Sequence, residues 1–190
     1  GGPPLPDGRV PGLEARSYYS PPHATWAGGV HAAIVEVDMD SLEVSFLKYV
    51  LVHDCGKMIN PAIVEGQVMG GVAQGIGGAL YERLVYDEDG QLRNGSFMDF
   101  LIPYATEVPR LEMHHQETPS PLNVLGIKGV GEAGAIPVPA LTASAVSDAL
   151  RPLGIEIMEA PLMPDRLFHL VSEVDGAAGG TPAADGGGAG

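Results

Sequence analysis

One acidic residue stands among glycines in residues 128–134, which read KGVGEAG. Glu132 is the only acid between Thr118 and Ser147, and its small neighbours leave the carboxylate open to a bound ligand. A glutamate held in this way can take a proton from a reacting group as a general base. A turn before a helix also offers unpaired backbone N–H groups that attract anions. The segment therefore predicts proton transfer beside an electron-rich ligand, with Glu132 as the acceptor.

Two other interpretations of this segment need to be weighed. An apolar helical pattern follows at residues 141–150, so Glu132 could simply complement a helix dipole, which is worth about 0.3–1 kcal/mol. The glycine spacing (GxGxxG) also matches a dinucleotide-binding fingerprint. That fingerprint needs an uninterrupted helix directly after the glycines, whereas Pro137 and Pro139 delay the helix here. A Rossmann site is therefore the weaker interpretation.

A glycine-rich helix is predicted from Asn60 and Pro61, which suit the N-cap and the first helical position. Each interior glycine costs about 0.8–1 kcal/mol relative to alanine, so the glycines predict close approach of another backbone or of a flat ligand. Gln67 and Gln74 share a face of this helix and could bond either a ligand or a neighbouring loop. The interrupting glycines are Gly66, Gly70, Gly71, Gly75, Gly77 and Gly78.

The remaining pattern predicts an α+β fold, with mixed sheets and packed helices. Turn-forming residues 38–41 join two β-rich runs into a hairpin, and an Asp-Gly turn at residues 86–91 indicates a second hairpin. Pro164 begins a short helix to about Val171. The predicted strands are residues 30–37, 44–53, 96–102 and 111–116.

No metal site is predicted. His53, Asp54 and Cys55 are adjacent, and adjacent residues on a strand point to alternating faces, so they cannot close on one ion without a turn. The same objection applies to His114 and His115. Cys55 is the only cysteine, which suits a reducing cytoplasm, and we expect it to be a small buried hydrophobe near a strand end.

Composition narrows the class of protein. The 190 residues carry a formal charge of −14 without a basic cluster, which argues against nucleic acid and anionic membranes as partners. The apolar, uncharged run at residues 66–81 is too short and too rich in glycine and glutamine to span a bilayer, so a soluble, cytoplasmic protein is expected. We expect a linker at residues 1–12, one domain at 13–172 and a disordered tail at 173–190, in a chain whose numbering starts inside a longer chain or after a cut.

Several motifs in a fixed order carry a family resemblance across roughly residues 13–171. The chain resembles the C-terminal part of the large, molybdenum-binding subunit of the xanthine oxidase family, of the bacterial aldehyde and carbon monoxide dehydrogenase type. The motifs are Asp54-x-Gly56-x-x-x-Asn60-Pro61, the glycine-rich run from Glu65 to Gly77, Ser96-Phe97-Met98-Asp99-Phe100, Thr118-Pro119-Ser120-Pro121 and Lys128-Gly129-Val130-Gly131-Glu132.

The resemblance implies a molybdopterin-binding C-terminal domain in which Glu132 is the general base beside molybdenum. It implies that Gln67 hydrogen-bonds the pterin, which in bacterial members is usually molybdopterin cytosine dinucleotide. Weaker cofactor-binding assignments fall on Gly71, Gln74, Lys128, Gly129 and Gly131. The substrate-side loop of the family, and the cysteine loop of the carbon monoxide enzymes, lie upstream of this chain, and Cys55 does not match that cysteine.

The reaction implied is hydroxylation of an aldehyde, a heteroaromatic or a similar small substrate, with water as the oxygen source. Electrons would leave through [2Fe–2S] clusters to FAD, on a small and a medium partner subunit respectively. The chain is then expected to be inactive without the rest of its large subunit. Two other hypotheses stay open at this point: a non-catalytic assembly or cofactor-chaperone module, and a free-standing nucleotide-binding domain.

Overall fold

A computed structural model describes residues 15–20 and 22–179. The predicted α+β class is confirmed, with one three-stranded mixed sheet in the order β1-β2-β3 and helices packed on it. The predicted linker at 1–12 and the end of the predicted tail, from residue 180, lie outside the described residues. The elements are β1 (Gly28–Val37), β2 (Val44–Asp54), α1 (Pro61–Leu80), β3 (Leu111–His115), α2 (Val138–Leu150), a 3-10 turn (Arg151–Leu153) and α3 (Pro164–Gly179).

The first predicted hairpin is confirmed, because β1 and β2 pair antiparallel from Gly28 opposite Asp54 to Val37 opposite Val44. The connecting turn is fixed by Asp38, whose Oδ1 accepts the backbone N–H groups of Asp40 and Ser41 at 2.8 Å each. This local bonding is the usual reason for aspartate in turns.

The third strand makes the sheet mixed. β3 runs parallel to β2, with Tyr49 opposite Leu111 and His53 opposite His115. A parallel neighbour needs a long crossover, and α1 with the irregular residues 81–110 provides it. The ends of β2 and β3 therefore lie side by side, and the loops that follow both strands meet at one edge of the sheet.

Helix α1 begins as predicted. The Oδ1 atom of Asn60 accepts the N–H of Ile63 at 3.3 Å, and Pro61 takes the first turn, where its missing N–H costs nothing. Helix α2 packs against both α1 and β1. The core that results is almost entirely aliphatic, and its fully buried members include Leu51, Val68, Val72, Ile76, Val138, Val146, Leu150 and Leu167.

The second predicted hairpin is only partly present. The Asp-Gly turn is confirmed, since Asp87 Oδ1 accepts the N–H of Gln91 at 2.8 Å and Gly90 has a φ of +78°. The predicted strand at residues 96–102 is wrong. The carbonyl of Ser96 instead accepts the N–H groups of Asp99 and Phe100, and its hydroxyl bonds the Asp99 carboxylate at 2.8 Å, which closes a helical turn.

Two helices are longer than the sequence pattern predicts. Helix α2 begins at Val138, three residues before residue 141, because its first turn tolerates Pro139. Helix α3 continues past Val171 to Gly179. Within the described residues, none of the helices combines the length and apolar character that crossing a membrane would require.

Candidate active site

Residues 128–134, here called the glutamate loop, lie between the strand-end loops and α2. The N–H of Ala133 bonds the Val130 carbonyl at 3.2 Å, and the N–H of Ala135 bonds the Glu132 carbonyl at 3.0 Å, so the loop continues as tight turns to the start of α2. Glu132 itself is exposed, and no hydrogen bond or ion pair to its carboxylate is found among the described residues. The carboxylate is thus free to accept a proton.

Backbone contact with α1 fixes this loop. A Cβ on Gly71 would lie 2.9 Å from both the Gly134 Cα and the Ala135 N, and a Cβ on Gly134 would collide with the carbonyl oxygen of Val68. A Cβ on Gly75 would lie 2.5 Å from the Cβ of Val138, at the start of α2. Two helix glycines therefore serve the approach of another backbone, which is one of the two reasons that the sequence predicted.

Three other glycines of α1 take no part in this contact. A Cβ on Gly66, Gly70 or Gly78 would meet no atom of this chain within 4 Å. Gln67 and Gln74 are exposed, and Gln67 faces the glutamate loop, because its Oε1 lies 3.9 Å from where a Cβ on Gly131 would stand. The structure thus brings Gln67, Gly131 and Glu132 into one neighbourhood, beside a strip of glycines open to the outside.

Lys128, the first residue of the glutamate loop, forms an ion pair with Asp54. Its Nζ is 3.2 Å from Asp54 Oδ2, and the two side chains are only 16% and 17% exposed. Its backbone N–H donates to the Cys55 carbonyl at 2.8 Å. The predicted role of Lys128 in cofactor binding stays a prediction, since its ammonium group is already paired within the chain.

Asp54 joins the glutamate loop to the ends of β2 and β3. Its Oδ1 accepts the N–H of Gly56 at 2.8 Å and that of Thr118 at 3.1 Å. Burial opposes ionisation of the carboxyl, but hydrogen bonds from the Thr118 side chain, from these two N–H groups and from Lys128 outweigh it. The pKa of Asp54 therefore lies well below its ordinary value. Three of the sequence motifs meet at this one carboxylate.

A cleft of about 450 Å³ opens beside Glu132. One wall is the glutamate loop and the first turn before α2, and the other is the chain that leads into β1. The lining residues are Thr25, Trp26, Ala27, Gly28, Gly29, Gly129, Gly131, Glu132, Ala133, Ile136 and Pro137. The cleft places Gly129 and Gly131 at the surface, next to the free carboxylate.

His31 is a residue that sequence reasoning missed. Its Nδ1 lies 2.8 Å from the hydroxyl of the fully buried Tyr49, and the two groups share a hydrogen bond. Burial lowers the pKa of His31, and the neighbouring backbone of Ala133 only partly offsets that effect. His31 therefore lies between the core and the glutamate loop. In the sequence, His31 is one of several alternating residues of a strand, so nothing marks it as a contact between the core and the glutamate loop.

His53, Cys55 and His115 are a second group that sequence reasoning set aside. Their ligand atoms all lie within 4.8 Å of one another, although the sequence pattern predicts no metal site here. The argument from alternating faces separates Asp54 from its neighbours, but it leaves His53 and Cys55 on one side. The parallel pairing of β2 with β3 then adds His115.

Comparison with known proteins identifies a family that this chain resembles. Residues 8–109 match the family model described as the molybdopterin cofactor-binding domain. The nicotine 6-hydroxylase large subunit of Paenarthrobacter nicotinovorans is 43% identical over 164 residues, which is 86% of this chain and 20% of the relative. The carbon monoxide dehydrogenase large chain of Hydrogenophaga pseudoflava is 36% identical over 88% of this chain and 21% of the relative. The chain thus spans about a fifth of the curated relatives it matches.

Solved structures agree in fold. Quinoline 2-oxidoreductase from Pseudomonas putida 86 matches with a TM-score of 0.75 and 48% identity, over 77% of this chain and 19% of that chain. The carbon-monoxide-reduced Cu,Mo-CO dehydrogenase matches with a TM-score of 0.82 and 36% identity, over 90% of this chain and 21% of that chain. The sheet and helices described above therefore match one part of each of these longer chains.

Proposed function

Because the chain belongs to the molybdopterin cofactor-binding domain family of molybdenum hydroxylase large subunits, we propose that it supplies the catalytic base of such an enzyme. The observation that carries this proposal is the position of Glu132. Its carboxylate is free and faces a cleft, while the loop beneath it is locked to α1 by backbone contact. A general base needs both a free acceptor and a fixed position.

The residues beside Glu132 fit a pterin cofactor. A Cβ on Gly66 or Gly70 would meet nothing within 4 Å, and a Cβ on Gly129 or Gly131 would meet only one atom each, at 3.9 Å. Packing within the chain does not explain these glycines, whereas close approach of a flat ligand does. With a formal charge of −14, the chain would hold an anionic cofactor through neutral amides and backbone N–H groups.

The division of work among the residues follows from these positions. Gln67 would hydrogen-bond the pterin through its exposed amide, and Gly71 would hold the glutamate loop beside it. Gly129 and Gly131 would let the cofactor approach the backbone, and Gln74 would add a second amide about two turns further along the same face of α1. These assignments rest on exposure, helical spacing and the contact between Gln67 and Gly131.

When bound, the molybdenum cofactor supplies the redox chemistry that oxidises a substrate carbon with oxygen taken from water. Glu132 would accept the proton released when that oxygen is activated, and the cleft walls would keep its carboxylate near the reacting atoms. The pairing of Asp54 with Lys128 would keep a second ionised carboxylate away from the base. A single positioned base is sufficient for the share of the reaction assigned to this chain.

For the substrate, we propose an electron-poor carbon of a nitrogen heteroaromatic ring, with aldehydes as the runner-up. The support is that nicotine 6-hydroxylase and quinoline 2-oxidoreductase are 43% and 48% identical to this chain. The cofactor form would be molybdopterin cytosine dinucleotide. The remainder of the large subunit, an FAD subunit and a [2Fe–2S] subunit would be the partners in the cytoplasm, and the chain alone would be inactive.

Co-expression tests the proposal. The chain would be produced alone and together with the upstream part of its large subunit and the FAD and [2Fe–2S] subunits. The assembled complex should contain molybdenum and pterin and should oxidise a heteroaromatic with a dye acceptor, placing ¹⁸O from labelled water in the product. The chain alone should do neither. An assembly or chaperone module would instead separate from the finished enzyme, and native mass spectrometry would detect that separation.

A further inference from the structure

The ends of β2 and β3 bring three metal-binding side chains together, none of which lines the cleft beside Glu132, although His53 lies behind Gly29 of its wall. His53 lies opposite His115 in the parallel register, and Cys55 follows His53 by two residues on the same side. The two imidazole centroids are 4.8 Å apart. One ligand atom from each of the three residues lies within 4.8 Å of the other two.

Two of these side chains are buried, the His115 side chain is 15% exposed, and three of the ring nitrogens lack partners. His53 and Cys55 are each 3% exposed. His53 Nδ1 and both ring nitrogens of His115 are buried without a hydrogen bond from any described residue. Buried polar atoms in proteins nearly always have a partner, so the orphaned Nδ1 atoms of His53 and His115 point to something that fills the space between the two rings.

The chemistry of the three groups selects the kind of occupant. Two imidazoles and one thiol form a soft, nitrogen- and sulfur-containing set, which suits Zn²⁺ and related cations and does not suit Mg²⁺ or Ca²⁺. Ligand atoms around a tetrahedral Zn²⁺ are about 3.4–3.8 Å apart, from bond lengths of about 2.1–2.3 Å. A shift of about 1 Å, well within the reach of side-chain torsions, would close the group around an ion.

We propose that His53, Cys55 and His115 bind one thiophilic divalent cation of the Zn²⁺ type, in a structural site distinct from the molybdenum cofactor. Glu117 extends the site, because its Oε1 lies 3.8 Å from His115 Nε2. A carboxylate beside the outer nitrogen of a metal-binding histidine is a common supporting contact, and it leaves Nδ1 for the ion. With three protein ligands, the fourth position falls to water or to the remainder of the large subunit.

A metal ion at this site would stabilise the position of Asp54, whose carboxylate holds Lys128 of the glutamate loop. Asp54 stands between His53 and Cys55 in the chain, and it bonds Thr118, three residues beyond His115. An ion that joins the ends of β2 and β3 would therefore hold the Asp54 carboxylate in reach of Lys128. A bound ion stabilises the folded state because the unfolded chain does not present the ligands together.

Metal titration of the chelator-treated full chain tests the proposal. With Zn²⁺, one equivalent should bind and raise the Tm. With Co²⁺, a thiolate-to-cobalt absorption band should appear. Cys55→Ser and His115→Ala should each lose this equivalent. His114→Ala should keep it, since His114 is the exposed neighbour on β3.

Thiol labelling provides a readout that needs no variant, because Cys55 is the only cysteine. Zn²⁺ should slow alkylation of Cys55 in the wild-type chain by comparison with the chelated protein. The proposal is overturned if the wild-type chain binds no stoichiometric Zn²⁺ and labelling is unchanged. It is equally overturned if Cys55→Ser and His115→Ala, shown by circular dichroism to be folded, bind as much Zn²⁺ as His114→Ala does.

Discussion

Gly71 and Gly134 approach so closely that neither position has room for a side chain. A Cβ on Gly71 would lie 2.9 Å from the Cα of Gly134, while a Cβ on Gly134 would strike the Val68 carbonyl oxygen. The glycine-rich helix and the loop that carries Glu132 are therefore joined through their backbones. Such a contact leaves the loop little freedom to move. It also explains why α1 contains glycines at positions 71 and 75, although glycine is a poor helix former.

Neighbouring glycines on α1 should respond in opposite ways to alanine. Gly71→Ala forces a methyl group against the glutamate loop and should destabilise the chain by about 1–3 kcal/mol, the usual cost of overpacking. Gly70→Ala places its methyl where no atom lies within 4 Å, so it should gain up to about 0.8–1 kcal/mol of helix propensity. Denaturant unfolding of both variants measures the difference. Equal stabilities would mean that the contact between α1 and the loop is not tight.

The hydrogen bonds that Asp54 accepts from Thr118, Gly56 and Lys128 predict a pH dependence of stability. The depressed pKa of Asp54 means that its stabilising effect is present above the ordinary carboxyl pKa of about 3.9 and is lost as the pH falls toward the folded value. Asp54→Asn should lose about 1.5–3 kcal/mol at neutral pH, from hydrogen bonds to a charged group. The difference from wild type should shrink below about pH 4.

Unfolding free energies from neutral pH to pH 3 measure this dependence. Asp40→Asn, in the exposed hairpin turn, serves as the control and should change stability by less than about 0.5 kcal/mol throughout. A constant difference between wild type and Asp54→Asn across the range would contradict a charge-dependent role for Asp54.

Tyr49 should matter for the glutamate loop through His31. Tyr49→Phe removes the hydroxyl that bonds His31 Nδ1 and leaves this nitrogen of the half-buried ring without its partner, which should cost about 1–3 kcal/mol. Hydrogen exchange of residues 131–136 should also become faster. Tyr104→Phe, at an exposed position, should change neither quantity. Unchanged exchange in Tyr49→Phe would show that His31 does not hold the loop.

Gln67 should affect cofactor content. Gln67→Leu keeps the approximate size of the side chain but removes its amide, so the assembled complex should hold less molybdenum and pterin per large subunit. The loss of one hydrogen bond, worth about 0.5–1.5 kcal/mol, predicts weaker retention by up to about tenfold. Gln91→Leu, in the Asp-Gly turn, is the matched control. Full cofactor content in Gln67→Leu would assign the residue to the fold alone.

Local chemistry explains which parts of the fold were predictable. The Asp38 turn and the Asn60–Pro61 helix start depend on bonds between near neighbours, so residue types were enough to predict them. The segment at residues 96–102 has strand-like composition, but the side chain of Ser96 closes a helical turn there. Whether this segment forms a strand or a helical turn depends on the geometry of the Ser96 hydrogen bonds, which composition does not determine.

Tertiary pairing explains what was missed at the site. Glu132 and Gln67 stood out by residue type, and the structure places them in one neighbourhood. The grouping of His53 with His115 depends on the parallel register of β2 and β3, which are separated by a long crossover. The link from Tyr49 through His31 to Ala133 likewise joins three distant segments. No local pattern reports such contacts.

The rate at which substrate reduces molybdenum in the assembled complex tests the role of Glu132 most directly. Glu132→Gln keeps the size of the side chain and removes the proton acceptor, while Glu156→Gln, at an exposed position before α3, is the control. With molybdenum and pterin content shown to be equal, anaerobic stopped-flow reduction by a heteroaromatic substrate should be slower by about 10²–10⁴-fold in Glu132→Gln alone. Reduction of the Glu132→Gln complex within about tenfold of the wild-type rate would contradict a general base and leave Glu132 a helix-dipole partner.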